Sequence, residues 1–179
     1  MHKDVEEILY SLDDITKRCD ELGKQISADY EGKNPVIIGL LKGCVPFMAE
    51  LIRHITCDMQ IDFFDVSSYD GVNQTGNIRI LKDIETDVHG RDIIICEDIV
   101  DTGSTIKKVM ELLSCRGATS VEVVTLFDKK EGRTVRNIEP KYIGFDVPKK
   151  FVVGFGLDYN ELYRNLPYVG VLRRSVYEK

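Results

Sequence analysis

Three short apolar segments decide what this chain can fold into: Pro35-Val-Ile-Ile-Gly-Leu-Leu41, Asp92-Ile-Ile-Ile-Cys-Glu-Asp98 and Val121 to Phe127. Each places apolar side chains on consecutive positions. A strand with one face in water alternates apolar and polar residues, so such runs must be covered on both faces. They are too short for ordinary helices. After Ser104 the apolar residues Ile106, Val109, Met110 and Leu113 fall at helical spacing, and Pro46 to Ile55 also reads as a helix. Doubly buried strands alternating with helices predict an α/β fold, a mostly parallel twisted sheet flanked by helices.

The remaining elements are read in the same way. Val5, Ile8, Leu12, Ile15, Cys19, Leu22 and Ile26 are spaced by three or four, which predicts one amphipathic helix from Val5 onward. Met59–Val66, Asn77–Leu81, Tyr142–Val147, Phe151–Phe155 and Tyr168–Leu172 read as further strands. Ser67 to Gly76 is almost pure turn chemistry and predicts a loop. The 179 residues show no repeat and no linker. At roughly 150 residues per domain they predict a single domain over 1–179.

Composition removes several classes of function. The 24 basic and 30 acidic residues leave a net charge of −6, so generic coating of nucleic acid is disfavoured. Five cysteines, an odd number without CxxC spacing, speak against a disulfide framework or zinc site and for a reducing cytoplasm. The start, MHKDVEEILY, is acidic where a signal peptide would be apolar, and no apolar stretch approaches the ~18 residues of a membrane span. A soluble cytoplasmic protein is expected. There is no GxxxxGK[ST], and Gly154-Phe-Gly156 fails as a dinucleotide fingerprint because Tyr159 stands where the third glycine belongs.

The chemistry concentrates in Ile93-Ile-Ile-Cys-Glu-Asp-Ile-Val-Asp-Thr-Gly-Ser-Thr105: buried strand, two adjacent acids, a third acid, a hydroxylated turn, then a helix. Ligands of open α/β sheets sit beyond the carboxyl ends of the strands. A Thr-Gly-Ser-Thr turn opening a helix offers free N–H groups at the positive end of the helix dipole, which suits a phosphate. Adjacent carboxylates can accept from vicinal hydroxyls or hold a hard cation such as Mg²⁺. Together they describe a ribose-5-phosphate site. The plainer alternative is that Ser104 or Asp101 caps a helix and the acids are solvated; three like charges within five positions speak against it.

The segment ICEDIVDTGST at 95–105 resembles the phosphoribosyl pyrophosphate (PRPP) motif of the type I phosphoribosyltransferases. With LLKG at 40–43, SSYDG at 67–71, LFDKK at 126–130 and KFVVGFGLDYNELYRNL at 150–166, the likeness covers most of the chain from Val36 to Arg173. It points to the 6-oxopurine branch and its bacterial hypoxanthine-guanine group. The resemblance implies that family's fold, with a small hood and a mobile lid loop. It implies transfer of a phosphoribosyl group from PRPP to N9 of hypoxanthine or guanine, Mg²⁺ as cofactor, and a homodimer or homotetramer.

The same resemblance distributes roles. Glu97 and Asp98 bind the ribose hydroxyls, and Asp101 is the general base at purine N7. Thr102, Gly103, Ser104 and Thr105 form the 5′-phosphate loop. Leu41-Lys42-Gly43 and Arg164 bind pyrophosphate, with a non-proline cis peptide before Lys42. Ser68 and Tyr69 belong to the lid. Lys129 recognises the 6-oxo group, Phe151 stacks on the base and the Val152 backbone meets the 2-position. Asp158 lies close to the metal, giving Glu97, Asp98 and Asp158 as its carboxylates. Two features depart from the pattern: Asp70 directly follows Tyr69, and Cys44 puts a thiol beside the pyrophosphate turn. Two alternative functions remain: a non-catalytic PRPP-sensing regulator of the same fold, and a phosphoribosyltransferase preferring xanthine, adenine or a pyrimidine.

Overall fold

The computed structural model describes residues 1–68, 78–135, 137–147 and 150–178. Its main sheet holds six strands: β2 (Val36–Leu40), β3 (Gln60–Ser68), β4 (Ile78–Lys82), β5 (Asp92–Val100), β6 (Ser120–Asp128) and β7 (Tyr142–Asp146). Their spatial order is β4-β3-β2-β5-β6-β7. All neighbours are parallel except the edge pair β3–β4. The consecutive apolar residues are buried on both sides, as predicted. Ile37, Ile94, Cys96 and Val124 pack against α1 (Leu12–Asp29) and α2 (Cys44–Leu51). Val36, Ile38, Ile93, Ile95 and Val123 pack on the opposite face against α3 (Ser104–Cys115).

A second, antiparallel sheet of order β1-β9-β8 joins the two ends of the chain: β1 (Val5–Tyr10), β8 (Val152–Val153) and β9 (Val169–Leu172). Its core is Val5, Val153 and Leu172, and the short helix α4 (Arg174–Tyr177) borders it.

Three boundaries differ from the sequence reading. The predicted helix from Val5 is instead a strand, β1, followed by α1. Val5 and Ile8 match helical spacing by coincidence, while Val5 is buried in the small sheet and Ile8 is exposed. The helix starts where its cap lies: Ser11 accepts from the Asp14 N–H and Asp14 accepts from the Ser11 N–H, a reciprocal capping box. The second helix begins two residues early, at Cys44, and ends at Leu51 in a 3₁₀ turn over Ile52–His54. The strand expected over Phe151–Phe155 is reduced to Val152–Val153, because Gly154 and Phe155 turn with positive φ.

Going outward from β2, chain order runs to β3 on one side and to β5 on the other. This strand-order reversal opens a crevice at the carboxyl ends of β2 and β5. Leu41-Lys42-Gly43 and Glu97 to Asp101 both end there.

Candidate active site

A cavity of about 460 Å³ occupies that crevice. Lys42 and Gly43 line it from the end of β2, and Glu97, Asp98 and Asp101 from β5. Lys129 enters from the end of β6, and Phe151, Val152, Asp158 and Arg164 from the segment around β8. Thr102, Gly103 and Thr105 line an adjoining hollow that shares Glu97 and Asp101. Ser104 begins α3, and its N–H donates to Thr102 Oγ1 at 3.3 Å. The fold thus brings together the residues named from the sequence on four separate elements. Tyr69, Asp70 and the side chain of Ser68 lie outside the described residues; the Ser68 backbone ends β3.

The acidic pair lies inside β5, which runs two residues past Asp98 to Val100. Glu97 registers with Thr125 of β6. Asp98 is buried at 8% exposure, and burial pushes its carboxyl up to about 6, with Asp158's charge adding to the shift. The Ile99 N–H, which Asp98 Oδ1 accepts at 2.8 Å, and the Arg164 charge oppose it. Glu97 is pushed well above the usual carboxylate range, first by burial and then by Asp98. Among the described residues the buried side-chain polar atoms without a partner are Glu97 Oε2 and Arg164 Nε, and both belong to this site. Native proteins satisfy nearly all such atoms, so two orphans here mark a place built for a ligand.

The plainer reading of the Thr-Gly-Ser-Thr turn does not hold. Neither Asp101 nor Ser104 caps α3; the cap is Gly103, at φ +80°, which has no side chain to offer, and Thr102 Oγ1 accepts from the Ser104 N–H at 3.3 Å. That left-handed φ favours glycine, and Gly103 lines the adjoining hollow. Gly43 is held for a different reason. A Cβ there would fall 1.9 Å from Asp98 Oδ2, so the turn after β2 lies directly against the buried acid. Gly156 in turn approaches the Gly43 carbonyl so closely that a Cβ would sit 2.0 Å from it. The peptide between Leu41 and Lys42 is cis.

The cations are already paired. Lys129 Nζ donates to Asp101 Oδ2 at 3.1 Å, joining the expected 6-oxo reader to the expected base. Lys42 Nζ lies 3.0 Å from Glu161 Oε2, a partner 119 residues away. Arg164 donates from Nη1 to the Gly156 carbonyl at 2.7 Å, and its Nη2 meets Asp158 at 2.9 Å and Glu161 at 3.3 Å. Arg164 and Glu161, three residues apart, pair within an irregular loop with positive-φ residues. Phe151 is 40% exposed on the cavity rim, stacked on Tyr177 with centroids 5.0 Å apart. Lys130 points away to Asp146 at 3.6 Å. The Cys44 thiol is buried and pushed up to about 12 by burial and the acidic pair, which keeps it a thiol rather than a thiolate at neutral pH. All five cysteines are free.

The carboxylates offer hard oxygen donors, and the orphaned Glu97 Oε2 beside a buried like charge fits a hard cation. Yet among the described residues no three His, Cys, Asp or Glu side chains converge as a preformed metal cage. Sequence reasoning missed Glu161 as the partner of Lys42, because that contact is a tertiary one. It also missed Gly132, where a Cβ would lie 1.7 Å from Asp101 Oδ1. No helix among the described residues is long and apolar enough to cross a membrane.

Comparison with known proteins agrees with this geometry. A family model described as a phosphoribosyl transferase domain matches residues 6–160. A hypoxanthine-guanine phosphoribosyltransferase of Streptococcus agalactiae is 52% identical over 180 residues, covering 100% of this chain and 99% of that one. The crystal structure of a hypoxanthine phosphoribosyltransferase from Staphylococcus aureus superposes with a TM-score of 0.95 at 48% identity, over 100% of this chain and 97% of that one. A hypoxanthine-guanine phosphoribosyltransferase from Bacillus anthracis, solved with a HEPES molecule in its active site, gives 0.88 at 36% identity, over 95% and 98%. An acidic strand end, a glycine-capped turn and similarity along the whole length agree, and the chain belongs to the phosphoribosyl transferase domain family.

Proposed function

We propose that this chain is a purine-salvage enzyme that transfers the phosphoribosyl group of PRPP to N9 of hypoxanthine or guanine, giving the nucleotide and pyrophosphate. The observation that carries the reading is the Lys129–Asp101 pair, 3.1 Å apart at the carboxyl ends of adjacent parallel strands. A 6-oxopurine carries an acceptor at O6 next to N7. Lys129 can exchange Asp101 for O6, and the released carboxylate then faces N7 and accepts its proton as N9 bonds to C1′. Both side chains are partly exposed, and such ion pairs are worth only about 0–1 kcal/mol, so the exchange is cheap.

The other residues follow from the same placement. Breaking the C1′–O bond leaves negative charge on pyrophosphate. Arg164, with its unpartnered Nε, and Lys42 are set to hold that charge. Glu97 and Asp98 accept from the ribose hydroxyls. The N–H groups of Thr102 to Thr105 receive the 5′-phosphate. Phe151 covers the base and the Val152 backbone meets its 2-position. Glu97, Asp98 and Asp158 would hold Mg²⁺ jointly with substrate oxygens, and when bound it neutralises charge on the pyrophosphate. The setting is a reducing cytoplasm, and the assembly a homodimer or homotetramer.

The test is one spectrophotometric panel with PRPP and hypoxanthine, guanine, xanthine and adenine, with and without EDTA. Turnover of the first two, lost in EDTA and absent for adenine, is expected. Equal turnover of adenine would defeat the base assignment, and full activity after exhaustive EDTA would defeat the metal assignment.

A further inference from the structure

We infer that Arg133, which the reaction above does not use, is the positioning residue that sets Asp101 over the purine; the inference rests on Asp101 being the proton acceptor. Arg133 is mostly buried, and its guanidinium spans the ends of two strands. Nε donates to the Asp101 carbonyl at 3.1 Å, and Nη2 reaches the Val100 carbonyl at 3.5 Å. Nη2 also donates to Asp128 Oδ1, and Nη1 to the Ile138 carbonyl. Asp128 is 2% exposed at the end of β6, so the pair is a fixed point rather than a surface tether.

The contacts to β5 go to main-chain oxygens. Losing them leaves the Asp101 carboxylate chemically intact and changes only where it sits. The neighbouring residues back the same loop: Gly132 lies against the Asp101 side chain, and the N–H groups of Thr134 and Val135 donate to the Thr102 carbonyl at 3.2 Å. A planar fork can bridge three carbonyls and a carboxylate together; a lysine at this position could keep the Asp128 ion pair but not the fork. Misplacing a reacting group by about 1 Å can cost on the order of 10²-fold in rate.

The test is steady-state kinetics with PRPP and guanine, beside thermal unfolding, on Arg133→Lys and on the charge-neutral double variant Arg133→Met/Asp128→Asn. Expected is a kcat lower by roughly 10–100-fold with both KM values within about threefold of the parent. Combining Arg133→Lys with Asp101→Asn should cost little more than Asp101→Asn alone, because residues acting as a unit are non-additive. A kcat near that of the parent in either folded variant, a rise in KM with unchanged kcat, or full additivity with Asp101→Asn overturns the inference. Unchanged turnover in Asp101→Asn alone instead removes Asp101 from the mechanism, and the inference with it.

Discussion

Replacing Asp98 by Asn should make the ligand-free protein more stable while removing its use for PRPP. The carboxyl is pushed up from its ordinary 3.8 to about 6, chiefly by burial. The folded state therefore holds this proton more tightly than the unfolded chain does. The stabilisation is fully present below about pH 4 and is lost as pH rises through about 6. Raising the carboxyl that far corresponds to about 3 kcal/mol of destabilisation at neutral pH. Asn keeps an oxygen for the Ile99 N–H, 2.8 Å away, and carries no charge. For a chain of this length ~1 kcal/mol moves Tm by about 2–4 °C, so a rise of roughly 6–12 °C is expected at pH 7.5 in EDTA. At pH 4.5 the folded parent carboxyl is mostly protonated while the unfolded one is still largely ionised, so the difference should shrink to roughly 1 kcal/mol, about a third of its value at pH 7.5. Thermal unfolding at both pH values, with PRPP binding by calorimetry, tests this. An Asn variant less stable than the parent at pH 7.5, or a gain that does not change with pH, would refute the reasoning.

Three further outcomes follow from the site. Asp101→Asn should lower kcat by about 10²–10⁴-fold, the usual worth of a positioned base, with little change in PRPP affinity; steady-state kinetics decide it. Lys129→Met should remove most of kcat/KM for hypoxanthine and guanine and narrow the gap to adenine. Because its pair with Asp101 is partly exposed, stability by thermal unfolding should change by less than about 1 kcal/mol. Gly43→Ala should cost about 1–3 kcal/mol in a denaturant titration and most activity, since its Cβ would fall 1.9 Å from Asp98 Oδ2.

Much of this protein was readable before any coordinates. Consecutive apolar residues in β2 and β5 force burial on both faces, and that alone demands a parallel sheet between helices. The acids of 97–101 and the turn after them lie within one strand–turn–helix unit, so their order along the chain is already their order in space. Val5 misled because a three-residue apolar step fits both a helix and a strand with a register shift, and only its pairing with Leu172 decides between them. Tertiary structure alone decided who touches whom across the crevice. Lys129 meets Asp101 because β5 and β6 are neighbours in register. Lys42 meets Glu161 because Gly156 lets the loop around it settle onto Gly43. Arg133 reaches Val100 and Asp128 together because those residues are register partners at the ends of two parallel strands. Local spacing encodes burial and turns; contacts between distant segments depend on strand order and register, which one sequence does not display.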